Sequence, residues 1–334
     1  MLEETERRHV MRKIALEEAV AVPGQEKLVP GGSESFEFQA MMPVYDRLVD
    51  LTEERLRHMD ATGIEISVLS VTSPGTQGLP ADTDAAATVT QWNDYVATAI
   101  SEHRDRLACF AALPMRDPDA AITELRRYVT DLGCPGALVN GYDDGTGTPL
   151  YYDAPQYLDF WHTAEELGVP LYIHPRSAPP DHVTTYNGYP QLDGAAWGFH
   201  VETAEHILRL ILSGLFDTAP RLQIILGHMG EILPWWAWRL DHRLALDPGD
   251  KLPLARTVTE YLQQNFYITT SGFFHTPALE YAVGVLGPDR VLYSVDYPYE
   301  SCEEAGTWLD KADLPDDLLR KIAFDNAARL LKLG

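Results

Sequence analysis

Four short segments constrain this chain most, because each ends an apolar run with an acidic residue or a histidine. They are Leu16-Glu17-Glu18-Ala19, Tyr172-Ile173-His174-Pro175, Leu226-Gly227-His228-Met229 and Ser294-Val295-Asp296-Tyr297. The runs are rich in Val, Ile and Leu, so they read as buried parallel strands whose last side chains converge at one rim of a sheet. A metal site on a (β/α)8 barrel has this layout.

The rest of the chain supplies the alternation that a barrel needs. Strands are expected at about 12–22, 66–72, 107–115, 134–141, 170–176, 222–228, 265–272 and 291–298. Amphipathic stretches lie between them, from Leu51 to Thr62, Thr88 to His103, Ala120 to Leu132, Tyr157 to Leu167, Glu202 to Leu215 and Pro277 to Leu286, with Gly63, Gly133, Gly168 and Gly287 as stops. An open doubly wound sheet is the competing fold, but no G-x-G-x-x-G follows the first strand. The reading is therefore α/β: a single TIM-type barrel over residues 12–334, of the metal-dependent kind with loop insertions, preceded by an N-terminal extension at 1–11 expected to be flexible. Two loops are long, Pro23 to Pro43 and Ser177 to Gly198; such loops serve as lids, oligomer contacts or disordered segments, and the second is a candidate pocket wall.

A formal charge of −24 makes nucleic acid and anionic membrane surfaces poor partners. Net charge does not fix local potential, so Arg176 and Arg239 could still greet an anionic ligand. Cys109, Cys134 and Cys302 have no metal-type spacing and read as buried thiols. The first 13 residues lack the apolar core of a signal peptide and no run of about 18 apolar residues occurs, so cytoplasmic residence is expected.

Within the first strand, period-two alternation sends one of Glu17 and Glu18 inward, where an unpaired carboxylate would be very costly. A cation is the natural relief. Asp296 after Val-Leu-Tyr-Ser-Val is equally hard to explain as a plain core residue, because Asp is poor in strands and seldom buried alone. Glu17, His174 and Asp296 offer two hard oxygens and one imidazole, a set that suits Mn²⁺, Mg²⁺ or Zn²⁺ and leaves positions open. No organic cofactor motif is present.

The segments Lys13 to Ala19, Thr148 to Asp153, Tyr172 to Arg176, Ile225 to Glu231, Trp238 to Arg243 and Ser294 to Pro298 together resemble the aromatic-acid decarboxylases of the amidohydrolase superfamily. The resemblance runs from about residue 12 to 333. It implies a distorted (β/α)8 barrel, a homotetramer or homodimer, and one divalent metal as the sole cofactor. By position it implies Glu17, His174 and Asp296 as metal ligands, Asp296 also as proton donor, His228 with Glu231 as a supporting dyad, and Arg239 and Asn140 as substrate contacts. Some relatives carry a second ligand histidine two residues after the first-strand acid, where this chain has Ala19. That alanine resembles the 2,3-dihydroxybenzoate and carboxyvanillate branches, whereas Thr148 to Asp153 and Asp241 to Arg243 read equally like the 2,6-dihydroxybenzoate branch.

Loss of CO₂ from an aromatic carboxylate leaves an aryl carbanion unless the ring carbon is protonated first. An ortho phenolic oxygen activates that carbon, and a divalent ion can hold it together with the carboxylate. Asp296 is then the expected acid, His228 a hydrogen-bond donor or proton relay, and Arg239 an anion partner. Trp197, Phe199, Phe273 and Tyr299 are candidate walls for a small aromatic carboxylate. The expected reaction is nonoxidative decarboxylation of an ortho-hydroxybenzoate, with 2,3-dihydroxybenzoate first and 2,6-dihydroxybenzoate next. A metal-dependent hydrolase of a lactone or amide, and a barrel that binds an aromatic acid without turning it over, are the competing classes.

Overall fold

The computed structural model describes residues 11–145, 147–246 and 254–333, apart from the side chain of Asp181. Most of the expected N-terminal extension lies outside those residues. Eight strands run in parallel: β1 Lys13–Val20, β2 Ile64–Val71, β3 Leu107–Cys109, β4 Ala137–Asn140, β5 Leu171–His174, β6 Ile224–Leu226, β7 Phe266–Thr269 and β8 Val291–Leu292. Ladders join β1-β2-β3 and β4-β5-β6-β7-β8. The two groups meet at a parallel bridge between Ala111 and Ala137, and on the other side the Ala19 N–H donates to the Tyr297 carbonyl at 2.7 Å. The sheet is thereby a distorted barrel.

Its interior is filled from every strand or its immediate end. Ile14, Leu16, Ile66, Val68, Phe110, Leu138, Tyr172, Ile225, Tyr267 and Leu292 form one buried cluster, plugged at the bottom by Ala327 and Leu331. The larger outer cluster packs strands against helices such as Glu53–Thr62, Ala85–Ala99, Pro118–Thr130 and Gly198–Leu212. Helix starts follow local chemistry. Asp84, Asp117 and Ser301 each cap a first turn with a side-chain oxygen, and Thr257 with Glu260 closes a capping box. Gly63 and Gly168 end their helices in the left-handed region.

Strands three and eight are shorter than their apolar runs suggest, and β8 shows why. After Leu292 the backbone stops pairing in a ladder: Tyr293 N–H donates to the Ile322 carbonyl, Ser294 N–H to Thr270 Oγ1 and Val295 N–H to a Glu18 carboxylate oxygen. Side chains replace a neighbouring strand there, and the segment is free to turn Asp296 inward. The Pro23 to Pro43 stretch, read from sequence as loop, includes the helix Phe36–Met41, capped by Ser35. Among the described residues, no helix is long and apolar enough to cross a membrane.

Candidate active site

The first strand carries the device that aims Glu17. Ile14 and Leu16 point into the barrel, so strict alternation would send Glu18 after them. Instead the pairing of β1 with β2 slips between Ala15 and Glu18. The bulge places Leu16 and Glu17 on the same inner side. Its two spare amides are satisfied by one hydroxyl, since the N–H groups of Leu16 and Glu17 both donate to Ser294 Oγ, at 3.2 and 2.7 Å. Glu18 is left facing the helix layer, buried near Arg55, and accepts from Ser294 Oγ and Val295 N–H.

The two oxygens of the Glu17 carboxylate have different surroundings. Oε2 accepts from the hydroxyls of Tyr172 and Ser271, the latter at 2.5 Å, with Thr269 Oγ1 at 3.4 Å. Oε1 is buried and has no hydrogen-bond partner among the described residues. It faces His174 Nε2 at 3.2 Å and His228 Nε2 at 3.5 Å. His174 donates from Nδ1 to the Pro175 carbonyl at 2.7 Å, which leaves its Nε2 turned toward the Glu17 carboxylate oxygen. A buried carboxylate oxygen with imidazole nitrogens turned toward it is a ready place for a cation. Gly227 makes the approach possible, because a Cβ there would sit 2.7 Å from Glu17 Oε2.

Asp296 completes the group. Its Oδ2 is 3.5 Å from His228 Nε2, and ligand-type atoms of Glu17, His228 and Asp296 all lie within 4.8 Å of one another. His174 Nε2 faces the same Glu17 oxygen at 3.2 Å, so Glu17, His174 and Asp296 come together with His228 beside them. These residues fit a hard divalent ion. Asp296 sits at φ 78°, and His228, Met229, Gly230, Glu231 and Ile232 form an unbroken run of positive φ. Each non-glycine in that region costs about 1–2 kcal/mol. Such strain concentrated at two strand ends is a mark of function.

The left-handed run folds Glu231 back onto His228. Glu231 accepts from His228 Nδ1 at 2.6 Å and from His200 Nδ1 at 2.5 Å. Burial would raise the Glu231 carboxyl, but the two imidazoles hold it down at about 2. Burial would likewise lower His228, yet Glu17 and Glu231 hold it well above the usual imidazole range, with Asp296 adding a hydrogen bond. The Asp296 carboxyl is raised by burial, with His228 pulling the other way and Glu17 pushing it further up. A carboxyl raised by burial thus stands beside an imidazole whose hold on a proton is also raised.

Above this rim a pocket opens, lined in part by Phe36, Glu37, Phe199, Tyr299 and Glu300. Phe36 and Phe199 meet edge to face at 5.5 Å. Asn140 lies deeper, in a narrow cavity shared with Glu17, Ala19 and His174, its Oδ1 without a hydrogen-bond partner among the described residues. A Cβ on Gly75 would reach 2.3 Å from the Asn140 amide nitrogen, so that glycine gives Asn140 its place. At Ala19 the cavity is bordered by a methyl group.

Of the substrate contacts expected from sequence, Asn140, Phe199 and Tyr299 line this site and three others do not. Trp197 is 47% exposed at the start of the Gly198–Leu212 helix. Phe273 is carried by a turn toward Trp235, with ring centroids 6.3 Å apart. Arg239 is on the exposed side of the Leu233–Leu246 helix, whose buried residues include Leu233, Pro234 and Ala237; two residues beyond Ala237 is about 200° round the axis. Within this chain it does not reach the pocket. His200, Phe36 and Glu37 are site residues that the sequence did not reveal. They sit on a helix and in a stretch read as loop, away from the strand-end pattern.

The chain matches the family model described as Amidohydrolase over residues 45–333. It is 45% identical to the gamma-resorcylate decarboxylase of Rhizobium radiobacter, over 96% of this chain and 98% of that protein. The crystal structure of a 2,6-dihydroxybenzoate decarboxylase complexed with 2,6-dihydroxybenzoate superposes with a TM-score of 0.89 at 44% identity, covering 97% of this chain and 100% of that one. A dihydroxybenzoic acid decarboxylase from Polaromonas sp., with bound manganese and 2-nitroresorcinol, gives a TM-score of 0.89 at 42% identity, covering 97% of each chain. The chain belongs to the amidohydrolase family, with decarboxylases among its relatives.

Proposed function

We propose that this amidohydrolase-family chain is a nonoxidative decarboxylase that converts 2,6-dihydroxybenzoate to resorcinol and CO₂, with one divalent ion, Mn²⁺ by preference, held by Glu17, His174 and Asp296. The observation that carries the reading is Glu17 Oε1, buried without a hydrogen-bond partner among the described residues and turned toward His174 Nε2 beneath an aromatic-walled pocket. When bound, the ion would draw the carboxylate and an ortho phenolic oxygen of the substrate together and fix the ring. Ala19 taken alone favours 2,3-dihydroxybenzoate. Relatives that match over nearly the whole chain are named for the 2,6 isomer, and that weighs more than one position.

Phe36 and Phe199 would hold the ring edge and exclude water. Asp296, whose carboxyl burial raises, would in its protonated form give its proton to the ring carbon bearing the carboxylate. The bond from that carbon to CO₂ then breaks, its electron pair returns to the ring, and aromaticity is restored. Asp296 is left as a carboxylate, and the imidazolium of His228 at 3.5 Å returns a proton to it while Glu231 steadies the charge. The net change is one substrate anion and one solvent proton consumed for one phenol and one CO₂.

The experiment is an incubation of Mn²⁺-loaded protein with 2,6-dihydroxybenzoate, 2,3-dihydroxybenzoate and a simple lactone, followed by chromatography of the products. Resorcinol formation faster than catechol formation is the expected result. Catechol alone would transfer the reading to the 2,3 isomer, and lactone hydrolysis alone would overturn decarboxylation.

A further inference from the structure

Beyond the metal-facing rim, one hydroxyl in the pocket has nothing to bond. Ser73 Oγ is buried and without a hydrogen-bond partner among the described residues, and Ser73 borders both the outer pocket and the narrow inner cavity, together with His174 and Asp296. Its position is firm. The preceding Thr72 accepts at its carbonyl from Gln25 Nε2 at 3.1 Å and Gly75 N–H at 2.9 Å, and its own N–H donates to the Val20 carbonyl at 2.9 Å. Beside it, Thr72 Oγ1 and Tyr299 OH are 2.6 Å apart and line the same space. A hydroxyl held in place, buried and unpaired is costly, and a ligand that brings a partner relieves that cost.

We propose that Ser73 is a specificity residue that hydrogen-bonds the second ring hydroxyl of the substrate, the one not used beside the carboxylate. The inference rests on the decarboxylase reading above. Decarboxylation itself needs only one ortho hydroxyl, so the second is free to serve recognition. Serine both donates and accepts, as a phenol does, and the pair forms whichever way the protons point. Glu37 and Glu300 border the same pocket, and their carboxylates disfavour an anionic group at this place. A neutral hydroxyl is what the surroundings accept.

The test compares wild type with Ser73→Ala on 2,6-dihydroxybenzoate and on 2-hydroxybenzoate, which lacks the second hydroxyl. Loss of one neutral hydrogen bond corresponds to about a 2- to 12-fold effect, so kcat/KM for the dihydroxy substrate should fall about tenfold and that for 2-hydroxybenzoate by less than about twofold. Ser73→Thr, which keeps a hydroxyl, should retain much of the discrimination. Equal losses on both substrates, or no loss on either, would overturn the proposal. Calorimetric binding of resorcinol and phenol to the Mn²⁺-loaded proteins separates the two readings. A resorcinol preference abolished by Ser73→Ala, in a protein that releases no CO₂, would sink the decarboxylase and leave the Ser73 subsite standing. Equal affinity for the two phenols in wild type would sink the subsite whatever the turnover.

Discussion

The inner and outer halves of the pocket are built by different means. The inner half stands on strand ends: Glu17, His174, His228 and Asp296 are each fixed by a bulge, a carbonyl, a second carboxylate or a left-handed backbone, and their polar atoms are gathered on one carboxylate oxygen. The outer half stands on the Phe36–Met41 helix, the start of the Gly198–Leu212 helix and connecting turns, and it offers rings and hydroxyls in place of ligands. Chemistry is placed where the barrel is rigid, and choice of substrate where insertions can vary. The inner half should therefore fail steeply when touched and the outer half gradually.

The steepest loss is expected at Asp296. Asp296→Asn keeps the shape and one oxygen but has no acidic proton, so kcat should fall about 10²–10⁴-fold while substrate affinity changes little. Steady-state kinetics with a calorimetric Kd check this, and near-wild-type turnover would erase the contrast between the halves. Next comes Glu231, which touches no substrate and acts through His228 and His200. Glu231→Gln removes one of the two charges, the other being Glu17, that hold His228 above its usual range, and activity should drop about 10–100-fold with KM nearly unchanged. A KM effect alone would move Glu231 into the outer half.

For the outer wall the expected sign is different. Phe199→Ala should raise KM about tenfold through lost ring contact and leave kcat within a few-fold. A kcat collapse there would show that the wall also aims the ring at Asp296. The smallest effect concerns the helix that carries the wall. Burial pushes the Glu202 carboxyl up to about 8 against the pull of Arg176, and lowers the buried His206 to about 3. Between pH 4.5 and 8 folded Glu202 holds a proton that the unfolded chain has given up, so its contribution to stability is full below about 4.5 and is lost as pH rises through 8. His206 works in the other direction: unfolded imidazole gains a proton below about 6.5 that the folded one refuses until about 3, so stability falls with acid. Tm for Glu202→Gln relative to wild type should therefore climb by a few degrees from pH 5 to pH 8. A gap independent of pH would mean that Glu202 is ionised throughout.

The same division decided what could be read from sequence. Apolar runs ending in Glu, His or Asp are visible because burying such groups at a parallel strand end is so unfavourable without a purpose. The eight strands and the gathering of Glu17, His174, His228 and Asp296 were legible for that reason. The phase of β1 was not, because the bulge that turns Glu17 inward depends on Ser294, far along the chain. His200 carries no pattern of its own; only the fold brings it to Glu231. Trp197, Phe273 and Arg239 are near site residues in sequence, but their direction is set by a helix start, a turn and a helix face. Phe36 and Glu37 were hidden in a stretch rich in Gly and Ser, where one cap, Ser35, starts a helix.

On the proposed reading, a metal gathered on Glu17 is indispensable to decarboxylation of an ortho-hydroxybenzoate. The most direct measurement is a titration of Mn²⁺ into chelator-stripped protein with 2,6-dihydroxybenzoate present, following resorcinol release. No release is expected without metal, together with a rate that saturates at one ion per chain and no recovery at any Mn²⁺ concentration for folded Glu17→Ala. Full resorcinol release by the stripped protein, or saturation unaffected by Glu17→Ala, would contradict it.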